Sequence, residues 1–205
     1  MAIINPKAPE AGRHIVSENV GQIHGTRTHG IGPLLQDIRS EELSAVDPHQ
    51  SYYVALKDIV SGHLLDAARA TAWRYLIIKG NSAVAEAELN ADEKAGKLLN
   101  FIGLYQSPFA QATLAALRIA ENLPQVKKQD YELRYLKIPS LYLAAIWLHG
   151  QADDILIALE PAPAGLKANQ PYSQSEVIKL LKSTAQKAEK FDSNFERAQG
   201  KPSKR

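Results

Sequence analysis

The dipeptide Gly80-Asn81 sits between two apolar runs and constrains the fold more than any other feature of the chain. A glycine opening a two-residue loop suits a type II′ turn, whose twist matches that of the strands it joins. Residues 73–79 and 82–89 are therefore expected to form an antiparallel hairpin. Uninterrupted pairing across the turn sets Ile77 opposite Val84, Tyr75 opposite Glu86 and Trp73 opposite Glu88. Leu76 and Ile78 then meet Ala83, Ala85 and Ala87 on the other face, large against small. The alanines favour helix by propensity alone, and Leu64, Ala68, Thr71, Tyr75 and Ile78 recur at helical spacing, so the hairpin rests on its turn.

Further strands follow from alternation. Residues 52–57 place Tyr52, Val54 and Leu56 on one face, with a single helical turn from Asp58 stopped by Gly62. Residues 131–138 alternate and end at Pro139. Residues 141–148 are apolar on both faces, as in a central strand or a buried helix, and a polar loop at 149–154 leads into 155–159 as a second hairpin. Residues 98–105 fit either element type.

Two helices are expected. Ser107-Pro108 opens one that Pro124 stops. Ser173-Gln174-Ser175-Glu176 is a capping box, followed by the stripe Val177, Leu181, Thr184, Ala188, Phe191, Phe195 and Ala198. The pieces sum to an α+β fold: an antiparallel sheet built from hairpins with two main helices packed on it, preceded by an irregular N-terminal arm. Residues 1–45 form that extended or partly disordered arm, because glycines at 12, 21, 25, 30 and 32 interrupt every period. Residues 46–172 form the core, 173–199 a C-terminal helix packing on it, and 200–205 a basic tail.

Composition narrows the function. At 205 residues and 45% hydrophobic, the chain can bury one sizeable core or two small ones. It has no cysteine, which removes disulfides, thiolate zinc sites and cysteine nucleophiles. With no basic n-region before an apolar run and no segment long enough to span, a soluble, cytoplasmic protein off the membrane is expected. Residues 1–50 carry four basic and six acidic side chains, 51–175 twelve of each, and 176–205 eight basic and four acidic. A neutral body argues against a nucleic-acid face, and the basic end adds only salt-sensitive attraction.

The candidate chemistry is sparse. Within residues 21–33, His24, Arg27 and His29 could contact an anion, but the Gly-Lys-Ser/Thr ending of a P-loop is missing. The two histidines lie five residues apart with no third ligand nearby, so no metal is expected, and no motif implies a cofactor. Arg74, Glu86 and His149 are polar residues inside apolar strands. If they converged in a cleft they could do acid–base work, but the uninterrupted hairpin register puts Arg74 and Glu86 on opposite faces. Strand tyrosines read first as core. The leading expectation is a non-catalytic interaction or accessory protein. It meets a protein partner or a second copy through the C-terminal helix, by Val177, Leu181, Phe191 and Phe195. The alternatives are an enzyme of unassigned class with an active-site loop around His24–His29 over a sheet cleft, or a weak anionic-ligand binder.

Overall fold

The structure is a computed structural model that describes residues 2–25, 39–92 and 98–198. In chain order the elements are β1 (Ile3–Ile4), α1 (Gly12–Gly25), a 3-10 turn (Ser40–Glu42), β2 (Ser44–Tyr53), α2 (Leu56–Val60), β3 (Arg69–Lys79), β4 (Ser82–Asp92) and β5 (Leu98–Tyr105). They continue with α3 (Pro108–Ala120), β6 (Tyr131–Ile138), a second 3-10 turn (Pro139–Leu141), β7 (Leu143–His149), β8 (Asp154–Ala158), β9 (Pro171–Tyr172) and α4 (Gln174–Ala198). The strands form one open sheet in the order β5-β4-β3-β2-β6-β7-β8-β9, with β1 also paired to β6. Pairing is antiparallel except where β1 and β2 lie parallel to β6. This is the expected α+β architecture.

Helices cover both faces. Cross-strand partners share a face, and the row Trp73, Gln50, Arg134, Trp147 defines one of them. On this face α1 packs Val16 and Val20 against Tyr75, Ile77, Ala85 and Leu89. On the same face α2 and α4 bury Ile59, Val177, Leu181 and Ala185 over Leu136, Trp147 and Leu156. On the opposite face α3 sets Ala116, Leu117 and Ala120 over Leu76, Leu133, Tyr135 and Ile146. Residues 143–149 lie under cover on both sides, which is why their sequence shows no alternation and why they are a central strand.

Several local expectations hold. The Ser173 hydroxyl accepts from the Glu176 amide at 3.3 Å, and the Glu176 carboxylate accepts from the Ser173 amide at 2.7 Å, closing the capping box. β7 and β8 pair as the second hairpin, residues 98–105 are a strand, and Gly62 ends α2 at φ +87°. Others are corrected. The strand expected over 52–57 ends at Tyr53, and Leu56 instead starts α2, where it packs on the cluster that buries Val54.

Within residues 1–45, Gly12–Gly25 is helical rather than irregular. Val16 and Val20, one helical step of four apart, give α1 a buried contact that outweighs the cost of Gly21. Gly12 is needed for closeness: a Cβ there would stand 2.3 Å from the Tyr75 hydroxyl oxygen.

The largest correction is in the first hairpin. Ile78 pairs with Ala83, but Ile77 pairs with Ala85, so Val84 is an extra, unpaired bulge residue on β4. Beyond it every partner moves by one: Leu76 faces Glu86, Tyr75 faces Ala87 and Arg74 faces Glu88. Because side chains alternate with period two, this slip carries Glu86 and Glu88 to the face that holds Arg74.

Candidate functional site

The bulge assembles a charged cluster in the middle of the α3-covered face. Arg74, 4% exposed, donates through one terminal nitrogen to Glu86, which is 1% exposed. Its other terminal nitrogen lies 3.4 Å from the Glu88 carboxylate. Lys137, on β6, donates to Glu88 from the rim of the cluster. Glu86 also accepts from the Ser107 hydroxyl at 3.2 Å, and the Thr113 hydroxyl stands 3.5 Å away. Ser107 thus spends its side chain on Glu86 instead of capping α3, and ties the start of that helix to the sheet.

Tyr135 forms the floor of the cluster. The Arg74 guanidinium carbon lies 3.9 Å from its ring centroid, a cation–π contact away from water. Burial raises the Tyr135 hydroxyl pKa well above its ordinary value, so the phenol stays protonated. Burial also raises the Glu86 pKa, against the opposing pull of Arg74.

His49 completes the group from β2, opposite Arg74. Its Nδ1 lies 2.6 Å from the Asp47 carbonyl oxygen and donates to it, which leaves the lone pair on Nε2. Burial first, then the charge of Arg74, holds the imidazole pKa down at about 3, so His49 is neutral at neutral pH. Among the described residues Nε2 has no hydrogen-bond partner, nor has the Ser51 hydroxyl or the Arg74 Nε. Two cations meet two carboxylates beside a neutral imidazole. That chemistry clamps β2, β3, β4, β6 and α3 together.

His149 is not part of this cluster. It faces Glu132 across β6–β7 and Asp154 across β7–β8, on the opposite side of the sheet. Its Nδ1 donates to Asp154 at 2.7 Å, and the Trp147 indole donates to the same carboxylate oxygen at 2.8 Å. Arg134 lies 4.6 Å from the Trp147 ring centroid and donates to Glu132 at 2.7 Å. The three candidates therefore divide: the structure joins Arg74 to Glu86 and sets His149 apart in a half-exposed pair with Asp154. Sequence reasoning missed His49, Glu88, Tyr135 and Lys137 as companions of Arg74. Only the bulge brings the two glutamates to them, and nothing in the residue types marks it.

Of the anion candidates, Arg27 and His29 lie outside the described residues, and His24 is in the last turn of α1. The four positions expected to meet a partner also divide. Val177 and Leu181 are 2% and 0% exposed within the chain's own core, so they are not partner surface. Phe191 is 71% exposed, and position 195 belongs to the final turns of α4.

These observations define an α+β protein with an open, mostly antiparallel sheet and helices on both faces. Among the described residues there is no group of three or more metal-ligating side chains, and no helix is long and apolar enough to cross a membrane. No protein-family model, curated protein or solved structure matches the chain.

Proposed function

We propose that this is a non-catalytic accessory protein that docks the distal turns of α4 into an apolar groove of a partner protein. The observation that carries this reading is the division of α4. Val177, Leu181 and Ala185 are buried and Ala188 is partly so, yet the helix runs on to Ala198 with Phe191 at 71% exposure. An exposed phenylalanine on a regular helix is the kind of side chain that helix-in-groove recognition uses as an anchor.

Helical spacing describes the groove. Positions 188, 191, 195 and 198 share a stripe, Glu189, Asp192 and Glu196 flank one side, and Lys187, Lys190 and Arg197 flank the other. The matching groove has a basic rim on one side and an acidic rim on the other. A second copy suits this pattern less well. In an antiparallel helix pair each flank meets its own copy, acid against acid, and a parallel pair brings two folded bodies to one end of a short seam.

The test is a photo-crosslinking amino acid at position 191, with the same group at Lys182 as control. The captured protein is then purified and titrated with wild type and with Phe191→Asp. A protein captured at 191 but not at 182, and bound at least tenfold more weakly by the variant, supports the reading. Capture of a second copy alone, or binding indifferent to Phe191→Asp, overturns it.

A further inference from the structure

A cavity of about 250 Å³ opens on the α3-covered side of the sheet, between α3, β1 and the kink in β2. Its floor is apolar: Leu114 and Leu117 from α3, Leu133 from β6 and Ile3 from β1. Leu117 and Leu133 are 7% and 1% exposed, so the floor is continuous with the core. Two carboxylates stand at the mouth, Asp47 and Glu121. Among the described residues neither takes a salt bridge, and the Asp47 carboxylate accepts only one long hydrogen bond, 3.4 Å from the Asn5 side-chain amide. Among the described residues that line the cavity the one cation is Arg118, which donates to the Asn81 carbonyl oxygen at 2.9 Å. The mouth also lies at the C-terminal end of α3, where the helix dipole presents partial negative charge.

We propose that this cavity binds a small organic cation, an alkylammonium whose short carbon stem lies on Leu114, Leu117 and Leu133 and whose ammonium sits between Asp47 and Glu121. The volume holds a stem of a few carbons and little more. An anion would face both carboxylates and the helix end, with only Arg118 in its favour. A neutral alcohol would gain the floor and lose the charge. The site is independent of α4, so it stands or falls separately from the docking reading.

The test is a ¹H–¹⁵N NMR titration of the full chain with n-butylammonium, with butyrate and butan-1-ol in parallel. The expected result is a saturable shift of the Asp47, Leu117, Glu121 and Leu133 amides with butylammonium, weakened about tenfold in the Asp47→Asn/Glu121→Gln double variant. Asparagine is chosen because position 47 has φ +49°, which asparagine tolerates. Butyrate or butanol binding as tightly as butylammonium, an undiminished double variant, or no saturable shift each overturns the proposal.

Discussion

Arg74 reaches Glu86 across the β3–β4 hairpin only because Val84 is an extra residue on β4. Deleting Val84 removes the bulge but leaves Leu76 opposite Glu86 and Arg74 opposite Glu88, whereas deleting Ala87 brings Glu88 opposite Tyr75, on the α1-covered face and away from Arg74. The Ala87 deletion should abolish cooperative thermal unfolding followed by circular dichroism, and the Val84 deletion should retain it. Val84→Ala keeps the bulge and loses only a half-buried side chain, for about 1 kcal/mol. Equal behaviour of the two deletions would contradict this account of the register.

The Arg74–Glu86 pair should be costly to break and cheap to replace. Glu86→Gln leaves a buried guanidinium without its closest charge partner and should cost about 3–5 kcal/mol in urea unfolding. Arg74→Met/Glu86→Met removes both charges and should cost clearly less than the sum of the two single changes. Additivity in this cycle would show that the pair is not coupled.

His49 should make the protein acid-sensitive. Its folded pKa is lowered to about 3 from an unfolded value of 6.5, so as pH falls below 6.5 the unfolded state takes up the proton first. The stability held above pH 6.5 is lost progressively down to about pH 3, with a slope approaching about 1.4 kcal/mol per pH unit from this one group. Arg74, Lys137 and the Tyr135 ring face the imidazole, and none offers a negative charge to rescue its protonated form. Glu86 acts in the opposite sense, because its raised folded pKa relieves strain as pH falls. The His49 share is therefore read as the difference in slope between wild type and His49→Asn, measured by denaturant unfolding at several pH values. Identical slopes would show that folding leaves the His49 pKa unshifted.

The elements were legible in the sequence where local chemistry specifies them. Ser173 and Glu176 announce α4, Gly80-Asn81 announces the hairpin, and Tyr131–Ile138 shows its alternation. What stayed hidden depends on tertiary contact. α1 carries three glycines and two buried valines, and only its packing on Tyr75 and Leu89 makes it a helix worth forming. The charged cluster was invisible for a sharper reason: one unpaired residue inverts the face of every residue beyond it, and Val84 has no composition that marks a bulge. His149 stands out because it ends an apolar run, whereas His49 follows Pro48 ahead of any visible alternation.

The most direct test of the central claim is truncation after Lys190, with stability and binding measured on the same sample. The account holds that α4 is core through Ala188 and a docking element beyond it. It predicts an unfolding temperature within about 2 °C of wild type, because the core contacts of α4 end at Ala188. It predicts as well that binding to the protein captured at position 191 is lost. A truncated chain that unfolds much earlier, or that binds as tightly as the full chain, would contradict it.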